Sequence, residues 1–123
     1  MSTGSEAVNE MILYEVVDQV AWITINNPEK GNAMSPAMRD RMTEIFESLN
    51  GQFEARAVVL TASGEKFFCS GADISVGREY APRPENAPQL AVGEPRRMML
   101  RGQHPLMASI LDCELPVIAA VNG

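Results

Sequence analysis

The side chains that most often act in catalysis form no recognisable catalytic motif in this sequence. His104 is the only histidine and has no paired Asp or Ser motif, which favours a surface or packing role over that of a base. Aspartates and glutamates are plentiful, but no two form a motif that assigns an acid and a base. Cys69 and Cys113 lack CxxC spacing, which favours reduced thiols over a disulfide. We therefore predict no metal site, and the backbone becomes the candidate for chemistry.

The turn from Cys69 to Ile74 is the segment in which the backbone itself could bind a charge. Gly71 allows the chain to turn sharply at little steric cost. A helical turn that begins near Asp73 would direct the positive end of its dipole toward an anion. Taken alone, Gly-Ala-Asp is more simply an ordinary turn between a strand and a helix, so the surrounding elements must decide.

The first elements are predicted to be a hairpin, a loop and a helix. Residues 12–26 form two runs rich in β-branched and aromatic residues, broken at Asp18-Gln19, although the favoured Asn-Gly turn is absent. A Pro- and Gly-containing loop covers residues 27–32. Ser35 can cap a helix whose first residue is Pro36. The helix should end at Asn50-Gly51. Its buried face is expected to consist of Met38, Met42, Ile45, Phe46 and Leu49. Its charged residues should mostly face away: Arg39, Asp40, Arg41, Glu44 and Glu47.

The later elements are predicted to complete a parallel crossover. Residues 57–61 form a short apolar strand of the kind that is covered on both faces of a parallel sheet. Residues 77–95 hold four prolines and are expected to form a mobile loop. Residues 96–113 favour a helix with an irregular first part, and residues 116–121 favour another strand. The expected buried face of this helix is Met99, Leu106 and Ile110, with Met107 and Leu111 as further candidates.

Composition excludes several classes of function. The net charge of -6 and the pI near 4.7 argue against a nucleic-acid surface, which needs clustered Lys and Arg. Residues 1–10 are expected to be disordered and do not resemble a signal peptide, and no apolar run is long enough for a membrane span. One α/β domain in a cytoplasmic compartment is the prediction from these properties.

Four motifs in order resemble the crotonase superfamily, which contains the enoyl-CoA hydratases and isomerases. Residues 27–34 (NPEKGNAM) resemble its early Pro-x-x-x-Asn-Ala loop, and residues 57–61 (AVVLT) resemble its central strand. Residues 67–74 (FFCSGADI) resemble its first oxyanion-hole motif, and residues 116–123 (PVIAAVNG) resemble a later strand and turn. The resemblance implies a crotonase-like α/β fold of repeated ββα units, with residues 1–123 as its truncated N-terminal part.

The resemblance also implies a site for an acyl-CoA thioester. The Ala72 N–H would be one of two backbone donors to the thioester oxygen of an enolate-like species, a contribution worth about 100 to 1000-fold in rate. Coenzyme A, as part of the substrate rather than a separate cofactor, would lie against a set of adjacent residues: Gly71, Ala72, Asp73, Ile74 and Ser75. Lys66 and Lys30 are candidates to contact its phosphates, and each could equally be a solvated surface lysine.

The family's remaining catalytic groups have no match in these 123 residues. Members of the family that hydrate enoyl-CoA use a second glycine-rich turn and two glutamates, which are expected beyond Gly123. Hydration is the leading prediction, while isomerisation, dehalogenation and decarboxylation stay open because later residues decide the reaction. The alternatives are a noncatalytic remnant that binds CoA or another subunit, and an unstable fragment with no function. The full-length form is expected to be a homo-trimer or a hexamer.

Overall fold

The hairpin at the start of the chain forms as predicted. A computed structural model describes residues 8–76, 86, 93, 96 and 99–123. Strands β1 (Ile12–Val17) and β2 (Val20–Ile25) pair antiparallel, with Val17 opposite Val20. Asp18 and Gln19 have φ of 49° and 66°, the left-handed geometry of a mirror-image two-residue turn. The twist of the two strands therefore selects this turn even without Asn-Gly.

Helix α1 (Pro36–Ser48) covers one face of the sheet. The Ser35 hydroxyl accepts the Met38 N–H at 3.2 Å, and Pro36 occupies the first helical position, which confirms the predicted start. The predicted apolar residues of the helix are all buried. The expectation that Arg39 faces away is wrong, because its side chain is only 15% exposed and residues 99–103 lie over it.

Within the described residues, the sheet contains four strands in the order β1-β2-β3-β4. Strand β3 (Ala57–Ala62) pairs parallel with β2, and β4 (Val117–Ala119) pairs parallel with β3. The predicted strand, helix and parallel strand are thus confirmed. Side chains on the inner face form the core with α1, among them these buried residues: Ile12, Ala21, Ile23, Ile25, Val58 and Ala62.

The opposite face of the sheet is apolar and partly open. One register row joins Glu15, Trp22, Val59 and Ile118 across the four strands. Trp22 is 38% exposed and Ile118 is 56% exposed, since α1 packs against the other face. Within the described residues, the prediction that the β3 strand is covered on both faces is therefore confirmed for the face that packs against α1 and wrong for the opposite face.

The second helical region begins irregularly, as its glycine and proline predicted. Residues Met99–Gln103 are π-helical, and helix α2 (His104–Leu111) follows. Leu106 is buried and Ile110 packs against the core, but Met99, Met107 and Leu111 are exposed, and their predicted burial is wrong. This short helix presents only a narrow stripe to α1, in which the buried Ser109 donates its hydroxyl to the Leu106 carbonyl at 2.7 Å.

Two predicted segments fall mainly outside the described residues. These are residues 1–7 of the expected disordered segment 1–10, and nearly all of the expected mobile loop 77–95. Residues 8–11 form one helical turn. Among the helices that the structure describes, none is both long and apolar enough to cross a membrane.

Candidate active site

A short backbone bridge fixes the turn that contains Ala72. The Met34 N–H donates to the Gly71 carbonyl at 2.8 Å, and the Asp73 N–H donates to the Met34 carbonyl at 2.9 Å. Gly71 has a φ of 112°, which side-chain-bearing residues rarely adopt. The loop before α1 therefore holds the peptide groups on both sides of Ala72.

The Ala72 N–H points away from this bridge, because successive backbone groups of an extended segment face opposite directions. No residue in the described part of the chain accepts its hydrogen bond. Ala72 is exposed and borders a cavity of about 210 Å³. The cavity is lined by residues from the turn, α1 and the second helical region: Met34, Ser35, Pro36, Arg39, Cys69, Gly71, Ala72, Asp73, Gln103 and Leu106.

A polar network orders the residues after Ala72. Asp73 Oδ1 accepts the Ser75 N–H at 2.9 Å and the Ser75 hydroxyl at 2.6 Å, at the start of the 3₁₀ turn Ile74–Val76. Lys30 Nζ lies 3.3 Å from Asp73 Oδ2 and 2.9 Å from Ser75 Oγ. The Ser75 hydrogen bonds, followed by Lys30, lower the pKa of Asp73. Asp73 is therefore a carboxylate at neutral pH and a poor proton donor.

The structure brings together some of the predicted site residues and separates others. Lys30 joins Asp73 and Ser75 and keeps 53% of its side chain exposed. Lys66 is exposed and borders a second cavity of about 310 Å³, beside Asn32 and Phe67. Ile74 was expected to line the pocket, but it is 94% exposed and borders neither of these cavities. The substrate contacts of all these residues stay predictions.

Asn32 was matched to a family motif without a role, and the structure provides one. It is 1% exposed, has a φ of 56°, and its Oδ1 accepts the Asn27 N–H at 2.8 Å. Its Nδ2 donates to the carbonyls of Ser63 at 2.9 Å and Phe67 at 2.7 Å. The loop of residues 63–67, which leads into the Ala72 turn, is thus fastened to the loop before α1. An Asn next to Gly in a turn was the only sequence signal for this geometry.

Arg39 and Gln103 are cavity residues that the sequence did not indicate. Arg39 was assigned to the solvent face of α1, and Gln103 was given no role, yet both line the cavity beside Ala72. The guanidinium of Arg39 packs directly against Gly102. Their placement depends on how the π-helical segment lies over α1, which periodicity along one helix does not reveal.

Comparison with known proteins shows which family this chain resembles. The profile of the enoyl-CoA hydratase/isomerase family matches residues 15–123. A probable enoyl-CoA hydratase of Rhodobacter capsulatus is 41% identical over 113 residues, covering 91% of this chain and 38% of the relative. The (E)-benzylidenesuccinyl-CoA hydratase of Thauera aromatica is 31% identical over 91% of this chain and 39% of its own length.

Solved structures give the same result for the fold. An enoyl-CoA hydratase/isomerase from Xanthobacter autotrophicus matches with a TM-score of 0.73 and 30% identity over 92% of this chain and 39% of that protein. The enoyl-CoA hydratase of Bacillus anthracis matches with a TM-score of 0.72, also at 30% identity, over 92% of this chain and 40% of that one. The chain spans about two fifths of the length of these relatives. With its α/β sheet and the Ala72 turn, the chain belongs to the enoyl-CoA hydratase/isomerase family of the crotonase superfamily.

Proposed function

We propose that the whole protein acts on acyl-CoA thioesters and that the Ala72 N–H stabilises negative charge on the thioester oxygen. The observation that carries this proposal is the orientation of one peptide group. Met34 fixes the Gly71 carbonyl and the Asp73 N–H, while the Ala72 N–H is directed away from them at the edge of the cavity. A donor that is held in place before the charge develops needs no reorganisation during the reaction.

Enoyl-CoA hydration is the reaction that this proposal favours. Water adds its oxygen to C3 and a proton is added to C2, and the electron pair passes through an enolate whose charge lies on the thioester oxygen. Family membership and relatives such as the probable hydratase of Rhodobacter capsulatus support this reaction. The second oxyanion donor and the groups that transfer protons are assigned to no residue of this chain. Asp73 does not suit that task, since its contacts with Ser75 and Lys30 lower its pKa and make it both a poor proton donor and a weak base.

The two lysines suit different roles at a CoA site. Lys66 is exposed and forms no ion pair with the residues described, so it is the stronger candidate for a phosphate contact. Lys30 already bridges Asp73 and Ser75, and its main contribution is to order the turn on which CoA would lie. Assembly as a homo-trimer or hexamer and a cytoplasmic location stay predictions.

The decisive experiment removes the Ala72 N–H and keeps the alanine side chain; the one further change is a weaker Gly71 carbonyl acceptor for the Met34 N–H. Incorporation of the α-hydroxy acid analogue of alanine at position 72 replaces the amide by an ester and leaves the methyl side chain. We expect kcat for crotonyl-CoA hydration by the whole protein to fall by about 100 to 1000-fold. The matched control is the same replacement at Ala37, which does not border the cavity.

Two outcomes would contradict the proposed function. An unchanged kcat for the ester at position 72 would contradict the role of this N–H. Binding of crotonyl-CoA by the whole protein without any turnover would favour the alternative function, a noncatalytic protein that binds CoA.

A further inference from the structure

Asn122 follows strand β4 and lies beside the loop of residues 63–67. Two hydrogen bonds extend the pairing of β4 with β3 toward it. The Ala120 N–H donates to the Leu60 carbonyl at 2.8 Å, and the Thr61 hydroxyl donates to the Ala120 carbonyl at 2.8 Å. The position of Asn122 is therefore set by the sheet, independently of the loop that it contacts.

The amide nitrogen of Asn122 is engaged entirely with this loop. Its Nδ2 donates to the Gly64 carbonyl at 2.7 Å, and longer bonds of 3.4 and 3.3 Å reach the carbonyls of Ser63 and Phe67. Three carbonyl groups of one loop thus face a single side chain from a distant part of the sequence.

The oxygen of the same side chain is not used in this way. Asn122 Oδ1 is buried and accepts no hydrogen bond in the part of the chain that the structure describes. A buried acceptor without a donor opposes folding, so stability alone does not account for an asparagine here. The next residue adds a backbone contact, because a Cβ atom on Gly123 would overlap the Lys66 carbonyl. Asn122 and Gly123 thus hold the loop where it continues toward the Ala72 turn.

A short path leads from this anchor to the Ala72 N–H. Residues 68–71 separate Phe67 from Ala72, and within them the Ser70 N–H donates to the Gly31 carbonyl at 3.2 Å. The segment therefore lies along the loop before α1 from its start. Because a peptide N–H has no rotatable side chain to compensate, a shift at Phe67 changes the direction of the N–H at Ala72.

We propose that Asn122 is a positioning residue for the reaction, since by holding residues 63–67 it keeps the Ala72 N–H directed at the thioester oxygen. This inference rests on the proposed function. An oxyanion donor acts when it lies about 2.7 to 3.1 Å from the oxygen in the transition state, so a small rotation of its peptide group is costly. Lys66 belongs to the same loop, but its flexible side chain can absorb such a shift. Asn122 therefore affects turnover more than the binding of CoA.

The test measures kcat and KM for crotonyl-CoA hydration by the whole protein. Asn122→Asp places a carboxylate oxygen against the carbonyl groups that now accept from the amide. We expect kcat to fall by at least about tenfold, while KM stays within about twofold of the wild-type value. Asn122→Ala removes the donor without adding charge, and it should give the same division between kcat and KM with a smaller loss.

Asn26→Asp is the matched control. Asn26 contacts the start of the same loop, where its Oδ1 accepts the Ser63 hydroxyl at 2.8 Å, and the substitution adds the same charge but keeps this acceptor. It should leave kcat within about twofold of the wild-type value.

Hydrogen exchange followed by mass spectrometry examines the same connection without turnover. The N–H groups of Ser70 and Asp73 are bonded to the loop before α1. Their exchange should be at least about tenfold faster in Asn122→Asp and unchanged in Asn26→Asp.

Several results would overturn the inference and leave the proposed function standing. These are an unchanged kcat in Asn122→Asp, a rise in KM without a fall in kcat, and unchanged exchange at Ser70 and Asp73. Failure of both Asn122 variants to fold overturns it as well, since the residue would then be structural. If the wild-type protein does not hydrate crotonyl-CoA, both the inference and the proposed function fail.

Discussion

The side-chain amides of Asn32 and Asn122 donate to the same two carbonyl groups, those of Ser63 and Phe67. The Asn32 bonds measure 2.9 and 2.7 Å, and the Asn122 bonds measure 3.4 and 3.3 Å. Asn122 adds a bond of 2.7 Å to the Gly64 carbonyl. Two segments ninety positions apart along the chain thus hold one loop, and that loop leads into the Ala72 turn.

Asn32→Asp tests this connection without changing the shape of the side chain. The substitution replaces the donating amide by a carboxylate oxygen that faces two carbonyl oxygens in a buried site. We expect the free energy of unfolding of the whole protein to fall by about 1 to 3 kcal/mol, as measured by urea denaturation. Asn122→Asp is the matched control, and its effect should be smaller because its surroundings are partly exposed. Equal losses of unfolding free energy in the two variants would contradict the prediction that Asn32 contributes more to stability than Asn122.

Gly71→Ala should impair catalysis through backbone conformation alone. A Cβ at Gly71 would meet no atom within 4 Å, so no clash is involved, but a φ of 112° is strained for alanine. Relief of a strain of about 1 to 3 kcal/mol would move the Ala72 N–H, and we expect a loss of at least about tenfold in kcat for crotonyl-CoA hydration.

Gly51→Ala provides the control for that experiment. Gly51 has a φ of 75°, has open space around its Cβ position, and lies after α1, away from the cavity residues. The control should lower stability in the same way and leave kcat unchanged. A loss of activity of the same size in both variants would indicate general destabilisation instead of a displaced donor.

Ser75→Ala should raise the pKa of Asp73 toward its ordinary value, because the Ser75 hydroxyl is its principal hydrogen-bond donor. A carboxyl group whose pKa is depressed by folding adds stability above its unfolded pKa of about 3.9 and loses that contribution as the pH falls through the folded pKa. The variant should therefore show less acid-dependent destabilisation below about pH 4 than the wild-type protein.

Carbon NMR titration of the Asp73 carboxyl group measures this pKa directly. Lys30→Met is the comparison variant, and it should raise the pKa less, because Lys30 contributes after Ser75. A larger rise in Lys30→Met than in Ser75→Ala would contradict the order of the two effects.

The hairpin offers a prediction of increased stability. Asp18 and Gln19 occupy left-handed positions that Asn-Gly prefers, so the double substitution Asp18→Asn with Gln19→Gly should raise the free energy of unfolding by about 0.5 to 1 kcal/mol. Gln19→Ala keeps a Cβ at positive φ and should give no gain. Thermal unfolding followed by circular dichroism makes the comparison, and an equal gain from the alanine variant would refute the conformational explanation.

Local signals predicted most of the fold. The break at Asp18-Gln19 marked the hairpin, and Ser35-Pro36 marked the start of α1, because each depends on a few adjacent residues. The Gly71-Ala72 turn was also located from sequence, since the glycine and its motif are local. The parallel pairing of β3 with β2 was predicted from the crossover through α1, whereas the full order of the strands was not.

Features that depend on contacts between elements were missed. Arg39 was expected to face solvent because it is charged, and only the packing of Gly102 against it reveals its burial. Met107 and Leu111 were expected to be buried because they are apolar, but α2 is too short and its contact with α1 too narrow to cover them. Periodicity describes one helix at a time, whereas the burial of a side chain depends on the element that packs against that helix.

Trp22, which lies in the register row of Glu15, Val59 and Ile118 on the open face of the sheet, is the only tryptophan in the chain. The residue is 38% exposed, in contrast to the fully buried Ile23 beside it. The emission of this single fluorophore therefore reports on that face without any label. A shift to shorter wavelength would record the exclusion of water from the row, and quenching by acrylamide would record its access.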